Sequence, residues 1–223
     1  MSLALLAAVA GCTSGSSAIL ESARLAVGKA PAAETPELDP RYLYLRTAAF
    51  GHTLYLVLGF VDHDTGGEVH VWYSAGGEVV RTQAGRIVGT AGLPTDWREV
   101  RRSKLPSWRE ALSAHTGYQR ERDVMPGYHA ATRDQVSIRP IPAPASSLLV
   151  GRDPQGLSWF EEVTTTPDAG LQVPPARFAV DFSDGGERVV YSEQCLAAEL
   201  CLAMQPWTAQ DSAALSGKKA GGS

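Results

Sequence analysis

Past the first dozen residues, the sequence has no apolar run near the 18 or so residues needed to cross a bilayer as a helix. It also lacks an excess of positive charge. The formal net charge is −4 and the pI is near 5.7, which argues against a surface that tracks nucleic-acid phosphates. The densest basic stretch, REVRRSK at 98–104, is short, carries Glu99, and reads as a solvated face or loop. Missing too are the G-x-S-x-G elbow, H-E-x-x-H, the phosphate-binding loop and the dinucleotide fingerprint. These absences lower the expectation of catalysis. A glycosidase needs only two carboxylates brought together in space. Glu161 and Glu162 cannot form that pair on a strand, where consecutive side chains point to opposite faces.

Cysteine is scarce, with three in 223 residues, and the first sits in an informative place. LLAAVAGCTSG at 5–15 sets an apolar run against Cys12. From Leu3 to Gly11 every residue is apolar or small, the length of a signal-peptide core, and small residues precede the cleavage point. VAGC resembles the lipobox of bacterial lipoproteins, which implies a signal peptide over 1–11 and an acylated Cys12 as membrane anchor. Acyl chains contribute about 0.8 kcal/mol per buried CH₂, so a multiply acylated Cys holds a domain to a membrane without a spanning helix. Thr13 in place of Asp fits release to the outer membrane in that sorting pattern. No Lys or Arg precedes the apolar run, so a start upstream of Met1 is left open. A buried apolar helix with a free Cys is the alternative.

Residues 12–40 are rich in Ala, Ser, Gly and Pro and read as a tether, with a short docking helix over SSAILESARLAVG as an alternative. From 41 to 207 the pattern becomes β-rich. RYLYLRT, TLYLVLGFVD, EVHVWYS and EVVRTQAGRIVGT are followed later by YHAATRDQVSIRP, LSWFEEVTTT, ARFAVDFS and ERVVYSEQC. Gly-Gly pairs at 66–67, 76–77 and 185–186 supply the positive φ of tight hairpins. One helix is predicted over 107–116, opened by a Ser107/Glu110 capping box and ended at Gly117. PIPAPASS at 140–147 marks either a division between two sheet halves near 140–150 or a crossover within one curved sheet. Residues 208–223 read as a flexible tail. The expected fold is therefore all-β, mainly antiparallel, a curved sheet or a half-barrel or sandwich of hairpins with one or two short helices.

The body resembles the YjbF/GfcB family of bacterial outer-membrane lipoproteins found with capsule and exopolysaccharide genes. The residues that carry the resemblance are YLYLRTAAFGHTLYLVLGFVD at 42–62, VVRTQAGRIVGTAGL at 79–93, WFEEV at 159–163 and FSDGGERVVYSEQCLAAELCLAMQPW at 182–207. The resemblance implies a periplasm-facing β protein that serves polysaccharide assembly or export, with no catalytic residue to carry over. Only the acylated Cys12 transfers residue by residue. The expected partners are the outer membrane, through that anchor, and the export machinery or the polymer.

With Cys12 acylated, Cys195 and Cys201 remain as an even pair in an oxidising compartment, and a disulfide is expected, with two buried thiols as the alternative. No cofactor or metal is expected. Asp62, His63 and Asp64 precede a Gly-Gly turn, where Asp is common for backbone reasons, and His70 stands alone. His115 reads as a favourable charge at the helix end. Two or three of the five Trp are assigned to the core, and Trp97, in PTDWREVRR, is the candidate exposed contact for a glycan or partner. Two rival functions stay open: a carrier whose concave apolar face holds an acyl chain, and a polysaccharide-modifying hydrolase.

Overall fold

The computed structural model of the chain describes residues 37–220. Cys12, the signal segment and the helix considered over 16–28 lie outside the described residues. Twelve strands follow one another: β1 (Tyr44–Ala49), β2 (His52–Asp64), β3 (Gly67–Tyr73), β4 (Val79–Gln83), β5 (Arg86–Ala91), β6 (Asp96–Arg102), β7 (Thr116–Met125), β8 (His129–Ile141), β9 (Ser158–Thr165), β10 (Ala176–Asp181), β11 (Arg188–Ala197) and β12 (Leu200–Trp207). All pair antiparallel in a single sheet ordered β5-β4-β3-β2-β1-β12-β11-β10-β9-β8-β7-β6. Every neighbour in that order is a neighbour in sequence except β1 and β12, whose pairing joins the two ends of the meander. The sheet curls into a nearly closed barrel, because its two edge strands, β5 and β6, lie side by side.

Asp96 stitches this seam. Its carboxylate accepts from the Thr90 hydroxyl at 2.9 Å and from the backbone N–H groups of Gly92 and Leu93 at 3.0 and 3.1 Å, while the Trp97 N–H donates back to Thr90 Oγ1. Farther along β5 the free edge meets β11: Gln194 accepts from the Ile87 N–H and donates to the Gly85 carbonyl. A Cβ on Gly85 would come within 2.5 Å of Val189. Gly85 is also at φ +79°, so this turn needs glycine both for its backbone and for its close approach to β11.

Helix α1 (Trp108–Ser113) opens as expected, with Ser107 and Glu110 exchanging capping bonds. The Glu187 carboxylate, from the β10–β11 turn, also accepts from the Trp108 and Arg109 amides. The helix is shorter than predicted and ends at its cap, Ala114. His115 therefore lies beyond it rather than at its charged end. The role of α1 is to insert Trp108 between Phe160 and Phe178, with ring centroids 4.9 and 5.1 Å apart.

The Pro-rich segment does not divide the sheet. Pro140 and Ile141 end β8, and the rest belongs to the connection between β8 and β9, which are paired neighbours. That connection packs Ala143, Leu149 and Leu157, beside Ile141 at the end of β8, against Trp159, Ala179 and Tyr191 on the outer face, so β10 is buried on both faces. The tail also differs from expectation. Ala209–Ala220 form α2, opened by reciprocal bonds between Thr208 and Asp211 and docked by the Trp207 indole N–H on Ser212.

Cys195 and Cys201 face each other across β11 and β12 and are joined by a disulfide. The closed loop is short, so the chain-entropy relation gives about 2 kcal/mol. We expect Cys195→Ala/Cys201→Ala to lose about that much in urea denaturation. An unchanged midpoint with and without reductant would show that the bond contributes nothing.

Candidate functional site

Strands β6, β7 and β8 carry charge in two rows. The register sets Arg101 opposite Glu121 and Glu121 opposite Arg133, and one residue along it sets Arg102 opposite Arg120 and Arg120 opposite Asp134. Because successive strand residues face opposite ways, the first row meets solvent and the second turns inward. The inner row is built like a core. Arg120 and Arg122 both donate through Nε to Asp134 Oδ2 at 2.8 Å, and their guanidinium groups lie 4.6 and 4.9 Å from the centre of the Trp97 ring. Arg122 also donates to the Leu171 carbonyl at 2.5 Å and Arg120 to Thr164 Oγ1 at 3.1 Å.

A second buried ion pair lies nearby. Arg86 Nε donates to Glu162 Oε1 at 2.8 Å, and the Tyr118 hydroxyl donates to Oε2 at 2.9 Å. Both charged side chains are 4 % exposed, and the Arg86 guanidinium sits 4.1 Å from the Trp108 ring centre. Burial, then the Glu162 charge, pushes the Tyr118 phenol up to about 12, so it remains a donor across the physiological range. Glu161 points the other way, to Arg139, as strand alternation required.

Arg102 is placed differently. Its Nη2 donates to Gln83 Oε1, and Gln83 donates in turn to Asp64 Oδ1 at 2.5 Å. Asp64 also caps the Gly66 N–H, so the acidic residue before the Gly-Gly turn has a turn role plus an anchoring one. Burial pulls the Arg102 pKa below its ordinary value, though a guanidinium stays charged regardless. Asp62 accepts from the His63 N–H and His70 stacks near Trp72. Among the described residues, no group of three or more His, Cys, Asp or Glu is arranged to hold a metal.

These rows border a cleft of about 720 Å³ near the ends of β6 and β9; Arg101, Arg102, Arg120 and Arg133 line it with Glu121 and Asp134. A second cleft of about 590 Å³ lies on the Gln83 and Arg81 side. Beneath both is a chamber of about 20 Å³ among Arg86, Trp97 and Glu162, room for about one water. Arg102 lines all three. The chamber has no space for an acyl chain. Glu162 and Asp134 are each engaged by guanidinium groups.

Trp97 is a correction: it is not an exposed contact but 3 % exposed, and its indole N–H donates to the Leu196 carbonyl at 3.0 Å. A bulge between Trp97 and Glu99 lets Trp97 and Val100 both turn inward despite their polar neighbours. All five Trp are buried, not two or three. REVRRSK is only partly a solvated face, since Arg102 turns into the barrel rim. Sequence reasoning did not single out Arg86, Arg120, Arg122 or Asp134, and considered Glu162 only with Glu161 as a catalytic pair it ruled out. A signal for one of them was present: Asp134 stands in step with Val136 and Ile138, which places it on the buried face of β8.

No curated protein sequence matches the chain significantly. A crystal structure of the hypothetical lipoprotein YmcC from Escherichia coli (K12) is similar at 20% identity and a TM-score of 0.58, covering 87% of this chain and 98% of that one; the likeness is one of fold. The family described as "Group 4 capsule polysaccharide lipoprotein gfcB, YjbF" matches residues 41–206, a span that holds all but the last residue of the barrel and both charged rows, and the chain belongs to that family.

Proposed function

We propose that this lipoprotein is a non-enzymatic accessory factor in capsule or exopolysaccharide assembly or export, held at the periplasmic face of the outer membrane through an acylated Cys12. The family match over 41–206 supports this most directly, and the VAGC sequence supplies the anchor. No helix among the described residues is long and apolar enough to cross a membrane. The cleft bordered by the charged rows is the surface on which polymer or export machinery would act.

Deleting the gene is expected to reduce surface polysaccharide, and Cys12→Ala to move the protein out of the outer-membrane fraction while leaving its fold intact. Intact mass of the membrane-extracted protein should fit cleavage before Cys12 plus acyl groups. Normal surface polymer in the deletion strain would remove the proposal, and an unmodified mass would remove the anchor.

A further inference from the structure

The inner arginines differ in one respect. Arg86, Arg120 and Arg122 each have a carboxylate partner, whereas no carboxylate of the described residues lies within ion-pair distance of Arg102. Its Nη1 is buried and has no hydrogen-bond partner. Thr166, 8 % exposed, has a hydroxyl in the same condition. Both residues line the 720 Å³ cleft. Among the arginines of this lining, Arg102 alone has no carboxylate of the described residues at ion-pair distance, so its charge is the one a ligand anion would balance.

The charge of that ligand follows from the lining. Four arginines face two carboxylates there. Both carboxylates are already engaged, Asp134 by Arg120 and Arg122 and Glu121 by Arg101 and Arg133. Arg101 is paired as well with Glu99 and Asp123 beyond the lining, so the excess positive charge of the cleft rests on Arg102, in a chain of net charge −4. The rest of the lining includes Ser103, Gln119, Gln135 and Thr165, neutral donors and acceptors suited to hydroxyl groups. Its volume lies in the range of small-ligand sites, about 300–1,000 Å³.

We infer that this cleft is a subsite for an acidic glycan, with a sugar carboxylate balancing the charge of Arg102 and ring hydroxyls on the neutral side chains. Resting on the export reading above, it adds the chemical class of the ligand and the residues that select it. Guanidinium groups match planar oxyanions with paired N–H donors. Exposed Arg133 and Arg101 at the mouth draw the anion in, and their contribution is screened by salt.

The test is calorimetric titration of the full chain in detergent with tetragalacturonate, against neutral maltotetraose, with inorganic phosphate as competitor. The acidic oligomer is expected to bind at least tenfold tighter than the neutral one, to weaken as salt rises, and to be displaced by phosphate. Arg102→Gln should weaken it at least tenfold. Arg133→Glu, on a side chain 85% exposed and so expected to fold normally, should weaken it several-fold with an unchanged melting temperature. Equal affinity for the two oligomers, binding of phosphate without tetragalacturonate, or undiminished binding in both variants would overturn the inference. Discriminating acid binding alongside normal surface polymer in the deletion strain would keep the subsite and remove the export role. Lost polymer in that strain with no discrimination between oligomers would do the reverse.

Discussion

Replacing Glu162 by Ala is expected to lower the unfolding free energy by about 3–5 kcal/mol, the range for breaking one side of a buried ion pair. The carboxylate is the only ion-pair partner of Arg86 among the described residues, and it also accepts the Tyr118 hydroxyl. Without it a guanidinium and a phenol are left in the interior with no acceptor, and the Trp108 face offers the cation a weaker interaction than a carboxylate does. Urea denaturation followed by tryptophan fluorescence reads the change. The companion triple variant Arg86→Met/Glu162→Leu/Tyr118→Phe should recover most of the loss, because exchanging a whole buried polar group for apolar side chains of similar volume is often neutral or stabilising. A loss below about 1 kcal/mol in Glu162→Ala would mean that solvent reaches Arg86, against the burial of both charges.

This pair explains what could be read from the sequence and what could not. Strands such as β2, β3, β9 and β11 announce themselves by apolar and β-branched residues, and the three Gly-Gly turns each bring a glycine to positive φ, at Gly67, Gly77 and Gly185. Strands β6 and β7 went unread for the same physical reason that makes them interesting. DWREVRR and TGYQRERDVM show no apolar alternation, because the inward positions of β7 are Tyr118, Arg120, Arg122 and Val124. Their burial depends on partners that come from distant points in the chain: Asp134 on β8, Glu162 on β9, and Trp97, displaced by a bulge. Sequence spacing alone does not say which arginine will meet which carboxylate. The all-β class and its hairpins were legible because they rest on local pattern, whereas near-closure was not, since it rests on Asp96 bonding to Thr90, Gly92 and Leu93 across a seam. Setting β5 beside β6 then covers the edges that an open curved sheet would leave exposed.

Asp134→Asn is the sharper probe of the cleft, with an expected loss of about 3–5 kcal/mol for a fully buried charge removed from between two arginines. Arg122, 1% exposed, then has a neutral amide oxygen in place of the carboxylate, beside its bond to the Leu171 carbonyl and its stacking on Trp97. Arg120 keeps Thr164 and gains a free guanidinium edge on the cleft it lines. The variant therefore carries more uncompensated positive charge at the place where Arg102 already lacks a carboxylate. An anion that binds the folded state stabilises it by RT ln(1 + [L]/Kd), about 2.7 kcal/mol when the ligand is at 100 times its Kd. Phosphate should consequently raise the urea midpoint of Asp134→Asn by more than it raises that of the unsubstituted chain, while sodium chloride at equal ionic strength should not. A large loss of stability with the same phosphate response in both proteins would show that Arg120 stays sequestered from the cleft, leaving Arg102 as its one inward cation. A greater response in the variant would show that Asp134 holds the inner row closed and also sets how much positive charge the cleft presents to an acidic ligand.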